Sequence, residues 1–83
     1  MKVTVFYLEN CPYCKKAFRI WEDIRNEEKY KNIELELHEE REEAELANSF
    51  DYYYVPCFYY DHKKLHEGAI DEAEMRTMLD QLV

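Results

Sequence analysis

Two cysteines separated by two residues, Cys11 and Cys14, are the side chains with the clearest capacity for chemistry. Thiols three positions apart at a helix start share one helix face and can close a small disulfide ring. Near the N-cap, unsatisfied backbone N–H groups and the positive end of the helix dipole favour a thiolate. The spacing therefore predicts a nucleophilic Cys11 and a Cys14 that keeps its proton until it resolves a mixed disulfide on Cys11.

The same spacing also occurs among metal ligands, so it leaves a metal-binding function open. A zinc site needs four ligands. The other candidate ligands are Cys57, His38, His62 and His66. None of them provides the second paired spacing of a zinc finger or zinc ribbon, and the alternatives that remain are a metallochaperone or an iron–sulfur-bridged dimer. A dithiol near a βαβ pattern is more typical of redox chemistry, and we therefore predict no metal ligands.

The third cysteine, Cys57, directly follows Pro56 and brings the cysteine count to three. An odd and low count in a short chain argues against a disulfide framework. In a strand context a lone cysteine is more often a small buried hydrophobe than a redox centre. We predict that Cys57 is buried, and that it would interfere with the Cys11–Cys14 disulfide only if it were exposed beside that pair.

Periodicity predicts the elements on either side of the dithiol. Residues 2–8 are β-branched and aromatic and apolar on both faces, which is typical of a central strand. From Pro12 the apolar residues follow helical spacing, and we predict a helix running to about Tyr30, with Pro12 suited to its first position. The dithiol thus falls at the carboxyl end of a central strand, where such sheets place reactive groups.

The rest of the chain adds a half-exposed strand, a helix with carboxylate-rich first turns, a hairpin and a last helix capped by Asp71. These elements are predicted over residues 33–37, 39–50, 57–60, 65–67 and 71–82. The order βαβαββα predicts an α/β fold, with a right-handed parallel βαβ unit and an antiparallel closing hairpin. The result is a mixed four-stranded sheet flanked by three helices, in a single domain that covers residues 1–83.

Composition and charge exclude several classes of function. The chain has 83 residues, 47% of them hydrophobic, which suffices for one small core and argues against intrinsic disorder. A net charge of −8 makes nucleic-acid or anionic-membrane binding a poor expectation. Residues 1–32 nevertheless carry a small positive excess, so the dithiol helix is the locally basic part of an acidic molecule. Because Met1 and Lys2 lead directly into the first strand, we expect no targeting segment and a cytoplasmic location.

Three features, taken in order, resemble the thioredoxin superfamily over essentially the whole chain. They are the dithiol after the first strand, the dipeptide Val55-Pro56 at the third strand, and Gly68-Ala69 before the last helix. The run Cys11-Pro12-Tyr13-Cys14 is similar to the four-residue active site of glutaredoxins. The segment that begins at Gly68 looks instead like its counterpart in thioredoxins.

This resemblance implies a thioredoxin fold and a set of substrate-binding residues. The proline of the family is cis, so the resemblance implies a cis Val55–Pro56 bond beside the dithiol. The backbone of Val55 would pair with an extended substrate or with glutathione, and Tyr13 would form part of the substrate groove. The residues carried over as substrate-binding are Pro12, Tyr13, Val55 and Pro56.

The chain also departs from both family patterns. Glutaredoxins commonly have a basic residue shortly before the first cysteine, where this chain has Leu8-Glu9-Asn10. They have threonine where Tyr54 stands, and a glycine pair followed by an acid where Glu67-Gly68-Ala69 stands. Thioredoxins bury an acid in the first strand, at the offset that Val5 occupies here. The resemblance therefore implies weakened binding of the carboxylates of glutathione. It also implies that the resolving step needs another base or water as proton acceptor.

Taken together, these observations predict a cytoplasmic thiol–disulfide oxidoreductase with Cys11 as nucleophile and Cys14 as resolving thiol. Disulfide-containing proteins are the expected substrates. A reductase similar to thioredoxin reductase, or glutathione, is the expected electron donor. We expect a monomer that binds no cofactor, no nucleic acid and no membrane.

Overall fold

In the computed structural model, which describes residues 1–83, three helices alternate with four strands in the predicted order βαβαββα. The elements are β1 (Lys2–Tyr7), α1 (Pro12–Ile24), β2 (Glu34–Glu39), α2 (Ala44–Asn48), β3 (Cys57–Tyr60), β4 (Lys63–Glu67) and α3 (Glu72–Asp80). None of the helices has the length and the apolar character needed to cross a membrane.

The four strands form one mixed sheet in the order β2-β1-β3-β4, so β1 is central as its apolar run predicts. Strand β1 runs parallel to β2, with Tyr7 opposite Glu39, and antiparallel to β3, with Phe6 opposite Cys57. Strands β3 and β4 form the antiparallel hairpin. Consequently the carboxyl ends of β1 and β2 and the amino end of β3 meet at one edge of the sheet.

The core occupies both faces of the sheet. The larger cluster joins one face of β1 and β3 to α1 and α3, and its buried members include Val5, Trp21 and Leu79. A smaller cluster on the opposite side joins Phe6 and Cys57 to the chain around α2. Because side chains alternate along a strand, β1 contributes to both clusters and ties the layers together.

Helix α1 is shorter than predicted, since it ends at Ile24 and not near Tyr30. Beyond it the chain advances through turns with hydrogen bonds three residues apart, such as the Tyr30 N–H to the Glu27 carbonyl oxygen at 2.9 Å. These turns bury Tyr30 completely and let its hydroxyl donate to Asp80 of α3 at 2.7 Å. Tertiary contact with α3 therefore overrides the helical spacing of the sequence.

Helix α2 is also shorter than predicted, because residues 39–43 and 49–50 are not helical. The register with β1 extends β2 through Glu39, which pairs with Tyr7. The Glu39 carboxylate then accepts the N–H groups of Arg41 and Glu42, at 2.6 and 3.3 Å, and this turns the chain before α2 begins. The acidic residues expected in the first helical turns thus belong to a strand end and a turn.

Candidate functional site

Cys11 occupies the position from which α1 starts. It is the N-cap residue, with φ −85° and ψ 118°, and Pro12 follows as the first helical residue. The Cys11 thiol makes no capping hydrogen bond, and no acidic residue lies in the first turn of α1. A half-buried sulfur at the positive end of a helix dipole is an electrostatically favourable place for a thiolate.

Cys14 lies one turn further along α1 and faces the protein interior. Its side chain is 1% exposed. Burial raises the pKa of the Cys14 thiol well above its usual value, outweighing a hydrogen bond from the Leu8 backbone, and the neighbouring Cys11 and Glu40 raise it further. Both thiols are free, and they differ in solvent access and in electrostatic surroundings. One sulfur is therefore accessible to a substrate, and the other is held protonated beside it.

A cleft of about 340 Å³ opens beside Cys11. Residues following β1 and residues following β2 line it because the two parallel strands end side by side. The lining residues are Leu8, Asn10, Cys11, Glu40 and Arg41. Neither Glu40 nor Arg41 could be identified from the sequence, because both lie in the carboxylate-rich segment predicted to form the first turns of a helix.

Glu39 joins the two walls of this cleft. It is 5% exposed. On the dithiol side, its carboxylate accepts a hydrogen bond from the Glu9 N–H at 3.1 Å. On the other side it accepts hydrogen bonds from the backbone N–H of Arg41 and from the Arg41 guanidinium, the second at 3.2 Å. Burial raises the pKa of this carboxyl, but the hydrogen bonds from Glu9, Arg41 and Glu42 outweigh burial, and the net pKa is lowered. Glu39 is thus an ionised internal bridge between the loops that carry Cys11 and Arg41.

The Val55–Pro56 peptide bond is cis, as the resemblance implies. Pro56 is buried and Val55 is half-buried. Because Cys57 lies opposite Phe6 in the antiparallel register, the residues before Cys57 run alongside those after Phe6, toward the dithiol end of the sheet. The Pro56 carbonyl oxygen accepts the Gly68 N–H at 2.8 Å, and Gly68 has φ +92°, a backbone conformation that favours glycine.

The loop before Pro56 is anchored by Glu67 and exposes two aromatic rings. One oxygen of the Glu67 carboxylate accepts the backbone N–H groups of Tyr53 and Tyr54, and the other accepts the Lys64 ammonium at 2.8 Å. The hydrogen bond from Lys64 and those from the two N–H groups lower the pKa of Glu67 to about 2. The side chains of Tyr53 and Tyr54 are 86% and 70% exposed, and that of Tyr13 is 59% exposed. The surface near the dithiol is therefore rich in exposed aromatic groups.

Cys57 is completely buried in the smaller core cluster, as predicted. Burial, with a smaller effect of the Glu67 charge, raises the pKa of its thiol to about 12. No three side chains of the His, Cys, Asp and Glu types lie together in an arrangement that could hold a metal ion. In the structure, Cys57 is a core side chain, and no third side chain of these types joins Cys11 and Cys14 in a possible metal site.

Comparison with known proteins agrees with the fold. The family model for the thioredoxin domain matches residues 1–80. Among solved structures, the germline-specific thioredoxin protein Deadhead (Thioredoxin-1) of Drosophila melanogaster has a TM-score of 0.74 at 20% identity, covering 99% of this chain and 80% of that one. A structure described as a malarial protein has a TM-score of 0.73 at 14% identity, covering 96% and 93%. No curated protein sequence matches the chain at a significant level.

At these identities the solved structures show the fold alone, and the predicted thioredoxin fold is confirmed. The family model covers nearly the whole chain. Domains of this kind generally act as thiol–disulfide oxidoreductases. By its sequence match and its architecture, this chain belongs to the thioredoxin domain family.

Proposed function

We propose that this protein reduces disulfide bonds of other proteins through the Cys11–Cys14 dithiol. The observation that carries the proposal is the inequality of the two thiols. Cys11 is partly exposed at the N-cap of α1, whereas Cys14 is buried one turn away with a raised pKa. A dithiol reductase needs this combination, because one sulfur must meet the substrate and the other must wait until the first has reacted.

In the first step the Cys11 thiolate attacks one sulfur of the substrate disulfide. A new bond forms between the Cys11 sulfur and that substrate sulfur, and the substrate S–S bond breaks. The second substrate sulfur leaves as a thiolate and takes a proton from solvent. The product of this step is a mixed disulfide on Cys11.

In the second step Cys14 loses its proton and attacks the Cys11 sulfur. The mixed disulfide breaks, the remaining substrate sulfur leaves as a thiolate that takes up a proton from solvent, and a Cys11–Cys14 disulfide forms. Two electrons have then passed from the dithiol to the substrate. Glu40 lines the Cys11 cleft, and its charge acts on Cys14, so Glu40 or water in the cleft serves as the proton acceptor.

Substrate binding falls to the groups around the dithiol. The Val55 backbone, which precedes the cis proline, offers hydrogen-bonding groups to an extended substrate segment, and Pro12 and Tyr13 form the opposite border. The exposed rings of Tyr53 and Tyr54 add apolar contact area. These features suit a peptide segment of a protein better than a small polar disulfide.

A cytoplasmic electron donor restores the dithiol. A dithiol reductase similar to thioredoxin reductase is one donor class, and glutathione is the other. Arg41 is the positively charged side chain that lines the Cys11 cleft, and its guanidinium offers a binding group for a carboxylate of glutathione. Equilibration of the dithiol in glutathione and dithiothreitol buffers, together with assays using thioredoxin reductase or glutathione, separates the two donor classes and gives the direction of electron flow.

Substitution of the two cysteines tests the mechanism directly. After reaction with a disulfide-bridged peptide, Cys14→Ser should accumulate a covalent peptide adduct on Cys11, visible as a mass increase of one peptide. Cys11→Ser should form no adduct, and its rate of disulfide reduction should fall to that of the uncatalysed reaction. Cys57→Ala serves as the control that removes a thiol elsewhere and keeps turnover. Disulfide reduction by Cys11→Ser would overturn the proposed mechanism.

A further inference from the structure

The ion pairs of this protein leave one group of cations without partners. Seven of the eleven lysine and arginine side chains form an ion pair with a carboxylate. The side chains that form none are Lys15, Lys16, Arg19 and Lys63. Three of these four therefore lie within five consecutive residues of α1, in a chain where carboxylates outnumber cations by nineteen to eleven.

These three residues, here called the basic patch, lie immediately beside the dithiol. Lys15, Lys16 and Arg19 are all exposed, whereas Cys14 and Ala17 on the inner side of α1 are buried. With a rise of about 1.5 Å per residue, Arg19 lies roughly 12 Å along the helix axis from Cys11. A partner that offers its disulfide to Cys11 would therefore reach the basic patch with neighbouring residues.

The placement of the basic patch works against the stability of α1 itself. Like charges three or four residues apart on a helix repel each other, as Lys15 and Lys16 do with Arg19. Helix α3 shows the opposite arrangement, because Asp71 forms a capping box and Glu72 and Glu74 lie in its first turn. Helix α1 has no acidic residue there. The acidic residues of α1, Glu22 and Asp23, lie near its carboxyl end, so the order of charges along this helix is the reverse of the order that the helix dipole favours.

We propose that the basic patch is the docking surface for protein partners that carry acidic residues beside their disulfide. This inference rests on the proposed function and adds to it the charge of the partner. At an ionic strength of about 0.1 M the Debye length is about 10 Å, so a docked acidic segment is attracted by the basic patch while more distant carboxylates are largely screened. Charge complementarity of this kind mainly increases the rate of encounter.

A second copy of the chain fits this surface less well than an acidic partner protein. Each molecule carries a net charge of −8, so two copies repel each other. A nucleic acid would meet the same repulsion from the remainder of the molecule, because carboxylates outnumber cations by nineteen to eleven. The basic patch therefore suits a local acidic segment and not a uniformly charged polyanion.

Three disulfide-bridged peptides of identical sequence, flanked by glutamates, glutamines or lysines, test the proposal. Single-turnover reduction by the reduced protein would be followed by acid quenching and chromatography at 0.1 and 1 M NaCl. At 0.1 M we expect the glutamate peptide to react about fivefold faster than the glutamine peptide, and the difference to shrink to near onefold at 1 M. The triple variant Lys15→Gln/Lys16→Gln/Arg19→Gln should lose this ratio.

The matched control is Lys63→Gln, which removes the remaining unpaired cation on β4 and should keep the wild-type ratio. Equal rates for the three peptides, or a ratio that survives in the triple variant, would overturn the docking proposal while leaving the reductase function intact. Failure to reduce any peptide would instead contradict the proposed function. In that case, titration with peptides that carry serine in place of cysteine would still measure docking. We expect binding of the glutamate peptide alone. A salt-sensitive dimer that the triple variant abolishes would identify a second copy as the partner and overturn the proposal.

Discussion

The two thiols of the dithiol differ because the helix start and the sheet act on them in opposite ways. Cys11 ends the loop after β1 and meets the dipole of α1, whereas Cys14 turns inward and loses contact with water. Sequence spacing was sufficient to predict this difference, and the strand context of Cys57 was sufficient to predict its burial. Spacing could not reveal Glu39 or Arg41, because their roles arise from the pairing of β1 with β2 and not from any local motif.

The buried state of Cys57 leads to a prediction about its reactivity. With a pKa of about 12, only about one molecule in ten thousand would carry the Cys57 thiolate at pH 8. In the native protein, iodoacetamide should therefore modify Cys57 at least ~100-fold more slowly than Cys11, as peptide mapping by mass spectrometry would measure. Unfolding in urea should remove the difference. Native labelling of Cys57 at the rate of Cys11 would show that the thiol is accessible after all.

Among the elements, the end of β2 has a larger part in the site than its acidic sequence suggests. The Glu39 carboxylate connects the loop before Cys11 to the turn that carries Arg41, so the shape of the cleft depends on one buried group. The periodicity of residues 39–50 resembles that of a helix, and the parallel register with β1 turns its first residue into a strand end. Local pattern and tertiary pairing compete here, and pairing prevails because it buries Glu39 with all its hydrogen bonds satisfied.

Replacement of Glu39 by glutamine should loosen both walls of the cleft. The amide has one acceptor oxygen and no charge, so the N–H groups of Glu9 and Arg41, whose hydrogen bonds to Glu39 are partly buried, lose part of their hydrogen bonding. We expect the melting temperature to fall by about 5 °C. Hydrogen exchange at the Glu9 and Arg41 amides should accelerate more than exchange within α3.

The control for this substitution is Glu36→Gln on the same strand. Glu36 is about half exposed, its ion pair with Lys2 spans 3.9 Å, and its 2.9 Å hydrogen bond with His38 can be kept by the glutamine amide, so the melting temperature should change by about 1 °C or less. An equal fall in both variants would mean that the position of Glu39 at the cleft has no special importance.

The molecule as a whole is acidic, and its carboxylates differ in how far ion pairs and hydrogen bonds shift their pKa. Four of them have a pKa below the ordinary value because of ion pairs and hydrogen bonds, namely Glu27, Glu39, Glu67 and Asp80. They join loops to α3 or to strands of the sheet. The cations without partners are concentrated on α1. The paired charges therefore stabilise the fold, whereas the unpaired cations of the basic patch lie on the surface next to the dithiol.

This distribution predicts how stability depends on pH. A carboxyl group with a lowered pKa stays ionised in the folded protein at a pH where the unfolded chain binds a proton. Its contribution to the free energy of unfolding is therefore complete above the pKa of the unfolded chain, which is about 4.3 for a glutamate. The contribution is lost as the pH falls through the folded value, which is about 2 for Glu67. The urea midpoint, followed by the fluorescence of the buried Trp21, should stay nearly constant from pH 7 to 5 and fall between pH 4 and 2.

Glu67→Gln supplies the comparison for this pH profile. Its midpoint should be lower than that of the wild type at pH 7, and the gap should narrow toward pH 2, where the wild-type carboxylate becomes protonated. A constant gap from pH 7 to pH 2 would show that the charge of Glu67 does not contribute to stability.

The sequence by itself determined the order of elements, the central position of β1, the place of the dithiol at a helix start and the burial of Cys57. These features follow from periodicity and from the chemistry of single residues, which act over a few neighbouring positions. Only the tertiary structure decided where α1 ends, where α2 begins and ends, which carboxylate bridges the Cys11 cleft, and which cations remain without partners. Those outcomes depend on groups far apart in the chain, such as Tyr30 with Asp80 and Glu9 with Glu39, and no local pattern encodes such pairings.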